Sequence, residues 1–240
     1  MKKTLRIAKY IARSGYCSRR KAEHLISLKK VQVNGEVIKS PIFFISENDD
    51  IFVNNTKIFL HNKTRLWLYN KPKGVICTNC DPEGRKTIFE DIPADLPRVI
   101  LVGRLDYNTE GLLLLTNNGA LSRKLELPSS KIIRKYLCKV YGKLNFDFMK
   151  EKLENEIIIN NIKYKVASIT LRKQKNLHSW LEIKLTEGKN REIRNIMEYF
   201  HLKVSRLIRL QFGNFQLSDL KTKEIVEVPE SLLLKYLKDL

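Results

Sequence analysis

The stretch GRLDYNTEGLLLLTNNG, residues 103–119, places a single aspartate, Asp106, ahead of four consecutive leucines. Residues 112–115 form a short apolar run bounded by glycine and by Asn-Asn-Gly, which favours a buried strand over a helix. The polar residues before the run are therefore expected at the edge of a core, where a carboxylate is held in place and partly desolvated. The alternative is structural: Arg104 and Asp106 could form an ion pair that only closes a loop.

The balance of charges is the unusual part of the composition. The chain has 240 residues, of which 43% are hydrophobic, so it is long enough for a sizeable core and for two domains. It carries 45 Lys and Arg against 26 Asp and Glu, and the net charge of +19 attracts nucleic acid or an anionic membrane. No apolar run approaches the roughly 18 residues that cross a bilayer, and the basic start lacks the apolar segment of a signal peptide. We therefore expect a cytoplasmic protein that binds nucleic acid and has no membrane partner.

The cysteines do not indicate a cofactor. Cys77 and Cys80 form a C-x-x-C pair, but no second Cys or His pair stands at zinc-site spacing. The pair is followed by a turn-rich stretch with Pro82 and Gly84 rather than by a helix, which disfavours a thioredoxin-like role. We expect reduced thiols, no metal and no bound cofactor.

The first 55 or so residues predict a small basic unit. Apolar residues recur at helical spacing from Leu5 to Ala12, and Ser18 is placed as the N-cap of a second helix. Asn34 and Gly35 lie between alternating residues, the strongest short hairpin signal, and a further strand is expected near Ile51. The first 30 residues hold ten Lys or Arg against one acid, which favours contact with phosphates over a merely solvated face.

The pattern changes beyond residues 54–62, which we interpret as a linker. Strands that are not regularly separated by helices favour an α+β fold with a mixed sheet over a doubly wound one. The predicted domains are residues 1–60 and 61–240. The strands are predicted at 66–69, 101–105, 112–116, 136–141, 164–171 and 180–185, and the helices at 145–153, 191–200 and 231–237.

The N-terminal unit resembles the alpha-L RNA-binding domain, first recognised in a small-subunit ribosomal protein. The resemblance lies in residues 14–23 (SGYCSRRKAE), 31–35 (VQVNG) and 50–53 (DIFV). It implies that Arg19, Arg20 and Lys21 contact the RNA backbone. Such contacts set affinity and position rather than sequence choice.

The rest of the chain resembles the RNA pseudouridine synthases, in the branch that modifies single uridines of bacterial ribosomal RNA. Four blocks carry the resemblance in the right order, and together they span almost the whole chain. They are residues 70–74 with Thr78, residues 103–116, residues 134–136 and residues 187–194 continued by 204–209. The resemblance implies a small helix-helix-hairpin RNA-binding domain followed by a mixed-sheet catalytic domain.

The implied reaction breaks the N1–C1′ bond of uridine and rejoins the base through C5, with no redox change and no cofactor. It needs a carboxylate as nucleophile or base, a basic partner that keeps the carboxylate charged, and an aromatic face against the extruded base. By the resemblance these roles fall to Asp106, Arg194 and Tyr136. The resemblance also implies that Arg104 reaches the RNA beside the flipped nucleotide, and RNA contacts by Lys71 and Arg191.

Other interpretations stay open on the residues alone. Asp106 and Glu110 could be the paired carboxylates of a glycosidase, although a sugar hydrolase has no need of the positive charge. A non-catalytic RNA-binding assembly factor is the rival from a different class. Within the synthases, residues 187–191 and 204–209 resemble the large-subunit enzymes most, which implies a 23S target, with a 16S target as the alternative. The expected partner is ribosomal RNA, free or in a pre-ribosomal particle, and the chain is expected to act as a monomer.

Overall fold

The computed structural model describes residues 5–46, 48–60 and 63–237, with the side chain of residue 235 excepted. The chain forms two compact units. The first takes the residues up to Arg65 together with Ala94–Ile100 and Thr116–Gly119, and the second takes Leu66–Pro93, Leu101–Leu115 and the chain from Ala120 onward.

Helices and strands alternate irregularly along the chain. The helices are α1 (Ile7–Arg13), α2 (Arg19–Ser27), α3 (Gly119–Glu126), α4 (Phe146–Glu154), α5 (Glu192–Tyr199) and α6 (Glu230–Leu237), with 3₁₀ turns at Ile88–Glu90 and Pro128–Ser130. The strands are β1 (Leu5–Arg6), β2 (Val31–Val33), β3 (Glu36–Val37), β4 (Phe44–Ile45), β5 (Ile51–Val53), β6 (Thr56–Lys57), β7 (Leu66–Lys71), β8 (Ile100–Val102), β9 (Glu110–Thr116), β10 (Arg134–Tyr141), β11 (Ile157–Ile159), β12 (Ile162–Tyr164), β13 (Ser168–Lys175), β14 (His178–Leu185), β15 (Lys203–Phe212), β16 (Phe215–Gln216) and β17 (Ile225–Glu227).

The first unit confirms the predicted helix–helix–hairpin arrangement. The Ser18 side chain accepts a hydrogen bond from the Lys21 backbone N–H at 3.2 Å and so caps α2. β2 and β3 form the hairpin at Asn34 and Gly35, and β2 also pairs with β5. The two helices and these strands share one apolar core that includes Ile11, Ile26 and Val31.

The predicted linker at residues 54–62 is wrong over its first half. Asn54 and Asn55 both have positive φ, +48° and +62°, which is the backbone of a tight hairpin turn, and β6 pairs with β5 beyond them. Ile58 then packs into the core of the first unit. The Asn-Asn pair therefore marks a turn, not a flexible connection; residues 61 and 62 of the predicted linker lie outside the described residues.

The second unit is built on one mixed sheet, so the predicted α+β class is confirmed. The strand order is β13-β14-β10-β15-β9-β7-β17, with β16 at the side of β15 and β8 at the side of β9. β10 lies antiparallel to both β14 and β15, whereas β15 and β9 run parallel. Within the described helices, none combines the length and the apolar character that crossing a membrane requires.

The leucines of residues 112–115 form the buried centre of β9, as predicted, and all four are fully buried. Leu112 and Leu114 share an apolar cluster with Leu121 and Leu125 of α3 and with Leu233 of α6. The sequence analysis missed α3, although its leucines stand one helical turn apart. The predicted helices at 145–153, 191–200 and 231–237 are confirmed as α4, α5 and α6.

Two predicted strands are shorter than expected. The strand predicted at 101–105 ends at Val102, because the chain turns at Gly103 with φ +70° and leads Asp106 into a loop. The strand predicted at 164–171 is two strands, β12 and β13, with a break before Ser168. The first of these differences sets the position of the candidate site.

Candidate active site

Asp106 lies in the loop between β8 and β9, at the edge of the leucine core. The Thr109 backbone N–H donates to the Asp106 carbonyl at 3.0 Å and closes a tight turn around it. The Gly74 backbone N–H donates to the Tyr107 carbonyl at 2.9 Å and ties the same loop to the end of β7. The Asp106 side chain is 34% exposed, so its carboxylate can be approached from solvent while its backbone is fixed.

Lys71 is buried beneath this loop, which argues against its predicted role as an RNA-binding residue. Its side chain is fully buried, and its ammonium donates to the carbonyls of Pro72, Asp106 and Thr109 at 3.0, 3.2 and 3.0 Å. Burial lowers the pKa of Lys71, and the nearby Cys77 and acidic groups act in the opposite direction. All three N–H groups of this ammonium donate to buried carbonyls, so Lys71 holds the loop together and has no N–H left for a phosphate.

Arg194 approaches Asp106 from the first turn of α5. Its Nε lies 3.9 Å from Asp106 Oδ2, and an Nη donates to the Asn108 carbonyl at 2.8 Å. Burial and the neighbouring Arg191 lower the pKa of Arg194, whereas Asp106 raises it. Arg194 Nε is buried and has no hydrogen-bond partner among the described residues. The 3.9 Å separation is a charge contact rather than a hydrogen bond, so the carboxylate oxygens stay available for chemistry.

Substitution of Arg194 by lysine should impair turnover although the positive charge remains. The guanidinium contacts the carboxylate through Nε and the Asn108 carbonyl through an Nη, whereas lysine has all its donors on one nitrogen and cannot reproduce this fixed, planar geometry. A hydrogen bond to a charged group contributes about 1.5–3 kcal/mol, so kcat should fall roughly 10- to 100-fold. Arg191→Lys is the matched control, because Arg191 is exposed at the start of α5. Equal kcat values for the two variants, measured on the same RNA, would remove Arg194 from the site.

Tyr136 lies in β10, on the sheet face that Arg194 approaches. Its register partner in β15 is Arg209, whose own partner in β9 is Gly111. Strands are spaced about 4.8 Å apart, so Tyr136 lies roughly 10 Å across the sheet from Gly111. Arg194 lies close enough to Cys138 to oppose the rise in pKa that burial gives this thiol. Cys138 and Tyr136 are two residues apart in one strand, so both point to the same face.

Gly111 fixes how closely β9 approaches β15. Its φ is +98°, and a Cβ at this position would lie 2.4 Å from the Arg209 carbonyl oxygen and 2.9 Å from its nitrogen. Arg209 is buried, and its Nε donates to the Leu112 carbonyl at 2.7 Å. The glycine and the buried arginine therefore lock the start of β9 five residues after Asp106. No role was predicted for Arg209, although a charged residue at an inward-facing position of an alternating strand indicates a buried charge.

Glu110 is neutralised by an arginine. Arg206 donates to its two carboxylate oxygens at 3.0 and 2.9 Å, a bidentate pair across β9 and β15. This contact ties Glu110 to the strand pairing, so the acid pair with Asp106 that a glycosidase would need is not supported. The ion pair of Asp106 is likewise formed with Arg194, and Arg104 is exposed.

The remaining predicted RNA-binding residues lie on the surface. Arg104 and Arg191 are exposed in the second unit, and Arg19, Arg20 and Lys21 are exposed in the first turn of α2. Exposure permits phosphate contact, so these assignments stay predictions.

Glu192 is a buried carboxyl that the sequence analysis did not single out. Burial, together with the nearby Glu187, raises the pKa of Glu192 to about 7, while the hydrogen bond from the Lys189 backbone N–H, 3.0 Å from Oε2, acts to lower it. Glu192 Oε1 is buried and has no hydrogen-bond partner in the described part of the chain. Glu192 shares the first turn of α5 with Arg194, so its protonation changes the charge beside the site.

The two cysteines of the C-x-x-C pair have different surroundings. Cys77 is buried and accepts a hydrogen bond from the Leu105 backbone N–H at 3.4 Å, and burial raises the pKa of its thiol. Cys80 is exposed. Within residues 5–46, 48–60 and 63–237, no cluster of three or more His, Cys, Asp or Glu is arranged to hold a metal ion.

Comparison with known proteins gives matches over both units. A family model described as RNA pseudouridylate synthase matches residues 65–199, and an S4 domain model matches residues 5–51. An "Uncharacterized RNA pseudouridine synthase" of Rickettsia felis is 47% identical over 230 residues, which cover 96% of this chain and 99% of that protein. The ribosomal large subunit pseudouridine synthase B of Yersinia pestis is 35% identical over 88% of this chain and 68% of its own length. A crystal structure of a pseudouridylate synthase superposes with a TM-score of 0.65 at 26% identity, covering 97% of this chain and 99% of its own.

Proposed function

The chain belongs to the RNA pseudouridine synthase family, and from that premise we propose that it isomerises one uridine of 23S ribosomal RNA, with Asp106 as the nucleophile or base. The observation that carries the proposal is the pairing of Asp106 with Arg194 on a loop held from below by Lys71. The Arg194 guanidinium places a positive charge 3.9 Å from the Asp106 carboxylate, and the fixed backbone of Asp106 limits the motion that would misplace it.

Each group has a role in the isomerisation. Asp106 reacts at the junction of ribose and base, so that the N1–C1′ bond breaks and the base turns to present C5. The new C5–C1′ bond then forms, the hydrogen of C5 leaves as a proton, and N1 takes up a proton, so that substrate and product have the same composition. Tyr136 supports the extruded base with its ring, and Arg104, exposed beside Asp106, reaches the RNA that the base has left. Arg191 adds a phosphate contact at the start of α5.

The 23S target is supported by relatives rather than by site geometry. The Yersinia pestis protein is named for the large ribosomal subunit, and it matches 88% of this chain. Pseudouridine positions should be mapped in the ribosomal RNA of a strain that lacks the gene and of the same strain complemented with the wild-type gene. We expect one 23S position to lose its modification and to regain it on complementation. A loss confined to 16S RNA would assign the small subunit, and no loss at all would contradict a ribosomal substrate.

The same proposal gives the N-terminal domain, residues 1–60, an anchoring role and residues 61–240 the chemistry. Replacing Arg19, Arg20 and Lys21 together by alanine should weaken RNA capture without changing the chemical step. Contacts made equally in the ground and transition states affect KM and not kcat. Each lost phosphate contact lowers the slope of log K against log salt by roughly 0.7–0.9, so the slope should flatten by about two units.

The control for this experiment is Glu23→Gln on the same helix. Glu23 is also exposed on α2, and its substitution alters the charge without removing a phosphate contact. The control should bind at least as tightly as wild type with an unchanged salt slope. If the triple variant also keeps the wild-type slope in titrations with a ribosomal RNA hairpin, then α2 does not contact the phosphates.

A further inference from the structure

A groove of about 370 Å³ lies in the second unit, at the C-terminal end of α5 and away from Asp106. It is formed where the turn between β10 and α4 meets the turn between α5 and β15. Its lining includes Phe148 of α4, Tyr199 and Phe200 at the end of α5, and Lys143 and His201 from the two turns. Its volume falls within the range of sites that hold small organic groups.

Aromatic rings dominate the wall of the groove. The Phe200 ring meets Phe148 edge-on, with centroids 6.3 Å apart and planes at 85°, and meets Tyr199 at 5.1 Å and 86°. Phe148 and Tyr199 are nevertheless 49% and 48% exposed. The cluster is thus held in place by edge contacts while two of its rings keep surface open to solvent. Open aromatic faces at fixed positions are the usual platforms for unpaired bases.

The wall of the groove is rigid before any ligand binds. Gly142 has φ +141°, and a Cβ there would lie 2.9 Å from Leu202 Cδ2 and 3.2 Å from the His201 carbonyl oxygen. His201 has φ +57°, and its backbone N–H donates to the Glu198 carbonyl at 2.9 Å. The two turns therefore abut with no room for a larger residue, so the groove does not need to be assembled on binding.

The charge around the groove is suited to a polyanion. Lys143 and His201 contribute to the lining, and Lys152 Nζ lies 5.6 Å from the centre of the Phe148 ring. None of the described residues that line the groove is acidic, and Asp147 and Glu151 of α4 are not part of the lining. An apolar peptide would gain nothing from the two lysines, whereas a nucleotide has a flat base for the rings and a phosphate for Lys143.

We propose that this groove binds an unpaired base of the RNA substrate, stacked against Phe148 and Tyr199, with its phosphate held by Lys143. Tyr199 follows Arg194 by five residues on α5, about 7.5 Å along the helix axis and about 140° around it, so the groove lies on a different side of α5 from Arg194 and the bound base is not the reacting uridine. The inference rests on the proposed function, because it assigns a second contact to the same RNA. Its consequence is selection of a substrate that has an unpaired nucleotide besides the target uridine.

The first test compares two single-stranded probes, a ten-nucleotide oligoadenylate and the same oligomer with abasic sugars. Adenine cannot react at a uridine site, so differences in affinity report on stacking. Wild-type protein should prefer the probe with bases by about fivefold or more, and the double variant Phe148→Leu, Tyr199→Leu should lose most of that preference. The control Phe148→Tyr, Tyr199→Phe keeps both rings and should keep the preference. If the double leucine variant keeps the full preference for the probe with bases, the proposal is overturned. The groove would then bind nothing or would bind a protein.

The second test locates the base and separates the two proposals. Oligoadenylate with one photoreactive 8-azidoadenine should label peptides that contain Phe148 or Tyr199, and labelling confined to other peptides would overturn the inference. Pseudouridine formation is then measured on a ribosomal RNA hairpin. If wild-type protein forms no pseudouridine, the proposed function fails. If it does, and the double leucine variant shows wild-type KM and kcat, the groove has no part in substrate binding.

Discussion

Replacement of Asp106 by asparagine should abolish pseudouridine formation while the protein stays folded and still binds RNA. The loop around Asp106 is held by two hydrogen bonds to the Asp106 backbone carbonyl, one from Lys71 Nζ and one from the Thr109 N–H. Neither of them uses the carboxylate. An amide of the same shape therefore fits the turn, but it is neither a nucleophile nor a base. Loss of a reacting group of this kind costs roughly 10⁴-fold or more in kcat.

The measurement is the release of the C5 hydrogen from RNA that carries tritium at C5 of its uridines. Glu110→Gln is the matched control. Glu110 is the next carboxylate along the chain, and it forms an ion pair with Arg206 that links β9 to β15. It should keep most of the activity at a temperature where it is folded. A rate for pure Asp106→Asn within about tenfold of wild type would show that another group performs the chemistry. Loss of activity in the Glu110 variant alone would place the reacting carboxylate at Glu110 instead of Asp106.

The fold could be predicted where local patterns agree with tertiary packing. The leucines of 112–115 predicted a buried strand, and Ser18 and Asn34-Gly35 predicted a helix start and a hairpin, because caps and tight turns depend on residues close in sequence. The prediction of a linker at 54–62 was wrong over its first half for a related reason. A polar Asn-Asn pair suits both a linker and a left-handed hairpin turn, and only the pairing of β6 with β5 decides between them.

The site was less predictable, because its roles depend on burial. The motifs singled out Asp106 and Arg194. The structure brings the two together from a loop and a helix that are 88 residues apart in the chain, and no local pattern predicts such a contact. The burial of Lys71 was not predicted, because a basic turn looks the same in sequence whether its ammonium points to solvent or to three carbonyls. A lysine at the end of a largely apolar strand, as in β7, is the available signal.

Lys71→Met should destabilise the second unit and disable the loop that carries Asp106. Methionine has a similar length and shape, so the cavity stays filled, but the carbonyls of Pro72, Asp106 and Thr109 lose their common donor. The Asp106 carbonyl keeps its hydrogen bond from the Thr109 N–H, so two carbonyls lose the donor that Lys71 supplies. A buried acceptor left without a partner costs about 1–3 kcal/mol, so the total should be about 3 kcal/mol. For a unit of this size the melting temperature should fall by roughly 6–12 °C. Activity should also fall below the folding transition, because the Asp106 turn is no longer fixed.

Lys73→Met gives the contrast that decides what Lys71 does. Lys73 stands two residues further along in the same motif, but it is exposed, so its loss should leave the melting temperature within about 1–2 °C of wild type. If Lys71 contacted RNA instead, its substitution would flatten the salt dependence of binding by close to one unit and leave stability unchanged. Thermal unfolding and salt titration of the two variants therefore give opposite results under the two assignments. A stable Lys71→Met protein with a reduced salt slope would show that Lys71 contacts a phosphate and does not hold the Asp106 loop in place.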